Sequence, residues 1–213
     1  MPYRVVLFDL DGTLADTIEL IIRSGQHAFT TVLGWTPTRE ELILGIGRPL
    51  HLHLGDYANS PDQLTELVTA YRGFQVQYHD ELTLPYDGVN DVVRWLHGDG
   101  RPLGVVTSKI EHLAHRALSL IGIDDAFAIV VGLESTTAHK PGPEPLLYAM
   151  TRLGATATET VYIGDSPFDL RAAHAAGVDS VAVTWGAFSE EALLEHHPTH
   201  VARTAAELRA LLQ

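Results

Sequence analysis

Two aspartates one residue apart, Asp9 and Asp11, follow the apolar run Val5 to Phe8 and precede Gly12 and Thr13. In a strand, residues two apart share a face, but Gly12 marks a turn. Asp11 is therefore free to swing away while Asp9 stays at the strand end, and the two can do different work. A carboxylate held beside a divalent cation attacks a polarised phosphoryl group and forms an acyl phosphate. A second carboxyl then protonates the leaving oxygen and afterwards deprotonates the incoming water, provided that burial and neighbours raise its pKa above about 3.9. Asp11 is placed for that role.

A second acidic pair, Asp165 and Asp169, follows another apolar run at Val161 to Ile163. Four converging acids repel one another, and a hard cation with oxygen ligands resolves the conflict. Mg²⁺ fits, because it takes few carboxylates and keeps waters and substrate phosphate oxygens. Phosphoryl transfer also needs donors and positive charge around the equatorial oxygens. Thr107, after the run Leu103 to Val106, and Lys140 supply them; the chain has only one other lysine, Lys109, which is given no role.

The elements that must position these groups are short apolar runs rich in Val and Ile at Val5 to Phe8, Leu103 to Val106, Ala128 to Val131, Val161 to Ile163 and Ser180 to Val183. They read as buried parallel strands. Amphipathic stretches at Val89 to His97, Glu111 to Ile121, Pro143 to Leu153 and Asp169 to Ala176 alternate with them, so the fold class is α/β, a doubly wound parallel sheet. The alternation breaks between Ala15 and Glu81, which holds helical patterns and no strand. Residues 15–81 are expected to be an inserted helical cap, and 1–14 with 82–213 the Rossmann-like core. Ser60, Pro61 and Gln63 mark a helix start with a capping box, and Thr204 and Glu207 mark another. The insertion leaves the sheet at the carboxyl end of a strand, where open α/β sheets bind ligands.

Taken in order, Asp9 to Thr13, Thr107, Lys140 with Pro141, and Gly164 to Asp169 resemble the four motifs of the haloacid dehalogenase superfamily of phosphohydrolases, and the resemblance spans the chain. It implies Asp9 as nucleophile, Asp11 as acid and base, Thr107 with the Ser108 backbone amide as a phosphate grip, and Lys140 as the charge on the transferring group. It further implies Mg²⁺ held by Asp9, the Asp11 backbone carbonyl and Asp165, with Asp169 bonded to Lys140 or to outer-shell water. Asp11 argues against dehalogenase chemistry, which lacks it, and a cap without lysine excludes a cap Schiff base. Thr13 leans towards hydrolysis over sugar phosphomutase chemistry. The loop Gly45 to Leu50 is similar to one in phosphoglycolate phosphatases and related pyrophosphatases, so Arg48 is expected to contact a second anionic group of the substrate.

The expected activity is thus a Mg²⁺-dependent phosphatase acting on a small phosphomonoester such as phosphoglycolate. The alternatives are a phosphomutase, a pyrophosphatase, or a phosphoryl-accepting signalling domain that does not hydrolyse. A net charge of −13 over 213 residues opposes nucleic acid and anionic membranes as partners and leaves a small phosphorylated metabolite. A cytoplasmic monomer or homodimer is expected: no apolar run approaches the roughly 18 residues of a membrane span, the first is too short for a signal-peptide core, and cysteine is absent. The histidines, including His51 and His53, read as surface residues. Neither a Gly-x-Gly-x-x-Gly nor a Walker phosphate loop follows the first strand.

Overall fold

The computed structural model describes residues 3–213. Six parallel strands form its sheet: β1 (Val5–Phe8), β4 (Leu103–Val106), β5 (Ile129–Val131), β6 (Thr160–Gly164), β7 (Asp179–Val183) and β8 (His200–Ala202), in the order β5-β4-β1-β6-β7-β8. The chain runs outward from β1 through β4 to β5, crosses back to β6 and continues to β8. The switch in direction lies beside β1, which pairs with β4 on one side and β6 on the other. In such a sheet the crevice above the carboxyl ends at the switch is the ligand site. Both faces are covered, by α5 (Val89–Gly98), α6 (Glu111–Leu120) and α10 (Ala205–Leu212) among others on one side, and α7 (Glu144–Leu153) and α8 (Pro167–Ala176) on the other. That double coverage is why the strands read as unbroken apolar runs.

The five expected strands are present, and β8 is a sixth that the sequence reading lacks. Its three residues, His200-Val201-Ala202, sit at the sheet edge, where a polar residue is tolerated and no apolar run is needed. Between β1 and α5 the chain forms four helices, α1 (Ile18–Leu33), α2 (Arg39–Ile43), α3 (Leu50–Gly55) and α4 (Pro61–Tyr78), with α1 packed against α4. This stretch is not free of strand. Ala15–Asp16 (β2) pairs antiparallel with Leu84–Pro85 (β3), so the outgoing and returning connections are clipped together. Two residues are too few to show alternation, which is why the pattern hid them. The helix start at Ser60 is as expected, its side chain accepting from the Gln63 amide. The reciprocal arm differs: Gln63 Oε1 accepts from the Asn59 amide instead of from Ser60, one residue further back.

One apolar cluster joins Ile18, Phe29, Leu42, Ile46, Leu54 and Tyr71 of the helical insertion to Leu170, Phe188 and Leu193 of the sheet-bearing part. The insertion therefore rests on the edge of the crevice. Its loop reaches furthest at Gly47, where a side chain would run into Ser166 and Phe168.

Candidate active site

Asp9 caps β1. Its amide donates to the Ile163 carbonyl of β6 at 2.8 Å, fixing the backbone as a continuation of the sheet, and the residue is 3 % exposed. Beside it, Lys140 Nζ donates to Asp169 Oδ1 at 2.6 Å and to Tyr162 Oη at 3.0 Å, and lies 3.0 Å from Asp9 Oδ1. The Tyr162 hydroxyl, 2.9 Å from Asp169 Oδ1 and 2.8 Å from the Val106 carbonyl, has one proton to give between them. Asp169 is the third residue of α8 and completes a capping box with Ser166, whose amide and hydroxyl both donate to its Oδ2, at 3.1 and 2.5 Å. Both Asp169 oxygens are thereby occupied, and the side chain that anchors the helix also anchors the lysine.

Asp165, at the end of β6, accepts from Thr13 Oγ1 at 3.1 Å and from the Ala187 amide at 2.9 Å. Gly12 and Gly186 press against it so closely that a methyl group on either would overlap the carboxylate. Gly12 also has φ of +85°, so the turn that separates Asp11 from Asp9 needs glycine twice over. The Thr13 hydroxyl is explained by this contact, since it orients Asp165.

Asp9, Asp165 and Asp169 each bring one oxygen within 4.8 Å of the others, all buried, with Lys140 as the adjoining cation. Burial first, and then the Asp169 charge, push the Asp9 carboxyl up to about 7 despite Lys140. Burial, with Asp169 and Asp9, also lifts Asp165 well above the usual range. Asp9 Oδ1 is buried beside the Lys140 ammonium, 3.0 Å away, and makes no well-aligned hydrogen bond among the described residues. Three buried carboxylates that exceed the charge of one adjoining lysine and offer only oxygen donors fit a hard divalent cation.

Asp11 stands apart from this cluster. Its Oδ1 accepts from Lys109 Nζ at 2.6 Å and from Thr17 Oγ1 at 2.6 Å. Burial raises its pKa, but the Lys109 charge and the two hydrogen bonds outweigh burial and leave it below the ordinary carboxylate value. The expectation that its surroundings raise it is thus corrected, and the cause is Lys109, the lysine to which the sequence reading gave no role. The signal was there: in a chain with two lysines, this one lies two residues beyond Thr107 at the same strand end. Tyr162 was also passed over. A hydroxyl inside a fully buried strand must find a partner, and that requirement pointed at the site.

Thr107, Ser108 and Lys109 share the turn after β4. Thr107 Oγ1 accepts from the Lys109 amide at 3.2 Å, and the Ser108 hydroxyl donates to the Gly47 carbonyl of the insertion at 2.7 Å. Asp9, Asp11, Thr107, Ser108 and Arg48 all line one cavity of about 100 Å³. Arg48 is there but already engaged, donating to Asp56 Oδ2 at 2.7 Å and to the Leu52 carbonyl. His53, read as a surface residue, is instead buried in the cavity wall. Its alternation with the exposed His51 on the short α3 is what made the two look alike.

A parallel sheet with an acidic cluster and lysine at its switch point defines a phosphohydrolase-like class of protein, and the comparisons make the class specific. The model of the haloacid dehalogenase-like hydrolases matches residues 6–183, and the chain belongs to that family. Among curated relatives, the pyrophosphatase PpaX of Halalkalibacterium halodurans is 38 % identical over 98 % of this chain and 96 % of its own length. That of Anoxybacillus flavithermus is 35 % identical over 100 % and 98 %. Among solved structures, a predicted phosphatase from Clostridium acetobutylicum superposes with a TM-score of 0.89 at 26 % identity, covering 100 % of this chain and 99 % of that one. A predicted phosphoglycolate phosphatase from Haemophilus somnus shares the fold with a TM-score of 0.91 at 24 % identity over 99 % and 98 %.

Proposed function

We propose that this protein is a Mg²⁺-dependent hydrolase that moves a phosphoryl group from a small substrate to Asp9 and then to water, with inorganic pyrophosphate as the favoured substrate. The observation that carries the chemistry is Asp9 itself, a buried strand-end carboxylate paired with Lys140 at 3.0 Å and clustered with Asp165 and Asp169. The residues that would hold the cation are Asp9, Asp165 and the Asp11 backbone carbonyl; when bound, it neutralises their charge and polarises the phosphoryl group.

The protein's own part is to place and charge the reactants. Lys140, fixed by Asp169 and Tyr162, keeps Asp9 ionised enough to attack and stands ready to balance charge on the transferring group. Thr107 and Ser108 line the same cavity, and the Thr107 hydroxyl with the Ser108 amide would serve there as phosphate donors. Asp11 is held as a carboxylate by Lys109 and Thr17. To protonate the leaving oxygen it must first release these bonds and take up a proton, and the carboxylate that giving up this proton regenerates then takes one from the attacking water. With the Ser108 hydroxyl bonded to Gly47, the insertion closes the cavity and limits stray water.

The names of the relatives favour pyrophosphate over the phosphomonoester expected from sequence, and a cavity of about 100 Å³ suits a compact substrate. Phosphoglycolate is the second reading, supported by the Gly45 to Leu50 loop. Phosphate release from pyrophosphate, phosphoglycolate and p-nitrophenyl phosphate, with Mg²⁺ and with EDTA, tests both. The expected result is metal-dependent turnover with the highest kcat/KM for pyrophosphate. A preference for phosphoglycolate would reverse the substrate and keep the chemistry, and no release from any of the three would reject the hydrolase.

A further inference from the structure

We infer that His53 is a specificity-determining contact in the cavity, its imidazole receiving the non-transferred phosphate of a diphosphate substrate while Asp9 takes the other. The inference rests on the phosphohydrolase reading above. His53 is nine-tenths buried and lines the same cavity as Asp9. Both ring nitrogens are buried, and neither has a hydrogen-bond partner among the described residues. Buried polar groups are almost always satisfied, so a doubly unpartnered imidazole on the wall of a cavity points to a ligand.

The backbone is shaped for this ring. A side chain at Gly45 would lie 1.8 Å from His53 Nδ1, so only glycine admits the imidazole at its present place. Gly45 has no positive φ to explain it, and close approach of the ring does. Arg48, the other anion contact on this wall, is paired with the exposed Asp56 Oδ2 at 2.7 Å. Burial, and then Arg48, lower the His53 pKa, which keeps the ring neutral with one N–H to donate. A phosphate oxygen takes that hydrogen bond.

The test pairs binding with kinetics on the intact protein. Ring ¹⁵N resonances of histidine-labelled protein, with His53 assigned by its loss in His53→Gln, are followed during titration with methylenediphosphonate and Mg²⁺. The His53 signals are expected to move saturably. In parallel, His53→Phe, which keeps an aromatic ring and loses both nitrogens, should raise KM for pyrophosphate at least about tenfold, while kcat/KM for p-nitrophenyl phosphate stays within about twofold; His53→Gln should recover part of the loss. His53 signals that stay still, whether or not other resonances move, would overturn the inference, and so would equal losses on both substrates. Should the protein prove to hydrolyse nothing, the kinetic arm fails with the hydrolase reading, and the resonance shifts still decide whether His53 meets a diphosphate.

Discussion

The two walls of the cavity follow opposite rules. On the sheet wall, Lys140 and Asp169 are satisfied several times over, by each other, by Tyr162 and by the start of α8, beside the strand ends that carry Asp9, Thr107 and Asp165. On the helical wall, His53 has no hydrogen-bond partner among the described residues, and Arg48, in the loop before α3, is paired to the exposed Asp56 just past the end of that helix. The sheet wall is preorganised for one reaction, and the helical wall is left to be completed by what binds. Reaction type and substrate choice are therefore held by different elements, joined at the Ser108–Gly47 hydrogen bond.

Breaking the sheet wall should have the largest effect. Lys140→Met leaves Asp169 and Asp9 buried beside each other without their cation, and removing one partner of a buried pair costs about 3–5 kcal/mol. Thermal unfolding should show that loss, and kcat should fall by about 10³-fold or more. Mg²⁺ should recover part of the Tm and little of the activity.

Asp11→Asn should separate the two halves of the reaction. With p-nitrophenyl phosphate, whose leaving group needs no acid, one equivalent of nitrophenol should appear in a burst. Steady turnover, which needs a base, should then be about 10²- to 10⁴-fold slower. A steady rate equal to wild type would remove Asp11 from the mechanism.

The raised carboxyls sharpen the contrast thermodynamically. Asp9 folds with its pKa raised from 3.8 to about 7, so between those values the folded metal-free protein holds a proton that the unfolded chain has released. That contribution to stability is full below pH 4 and is lost as pH rises through 7. Mg²⁺ competes with this proton. The Tm increase that Mg²⁺ produces should accordingly be larger at pH 8 than at pH 5, and Asp9→Asn should flatten the difference. An increase independent of pH would place the metal elsewhere.

The smallest effect belongs to the join. Ser108→Ala removes one hydrogen bond to the insertion, about 0.5–1.5 kcal/mol. KM for pyrophosphate should rise about two- to tenfold with kcat nearly unchanged, and an unfolding midpoint close to wild type would confirm that closure alone is affected.

The sheet wall was legible in the sequence because three of its residues end apolar runs, so that one pattern gave strand and site together. Asp9, Thr107 and Asp165 are all of this kind. Lys140 and Asp169 added chemistry at fixed places in the same order. Lys109 was missed because its partner, Asp11, lies 98 residues away, and no local pattern reports a long-range ion pair. That single contact reversed the expected pKa of Asp11. β2 and β3 escaped because they exist only as each other's partners. His53 escaped because a six-residue helix is too short for periodicity to separate its buried face from its exposed one.

The central claim is that Asp9 carries the phosphoryl group. Acid-quenching Asp11→Asn protein within its first turnover of ³²P-labelled pyrophosphate and Mg²⁺, then mapping the peptides, tests it directly. A hydroxylamine-labile label is expected, confined to the peptide that contains Asp9 and absent when Asp9→Asn is added. Turnover that persists in Asp9→Asn, with no label on any peptide, would contradict it.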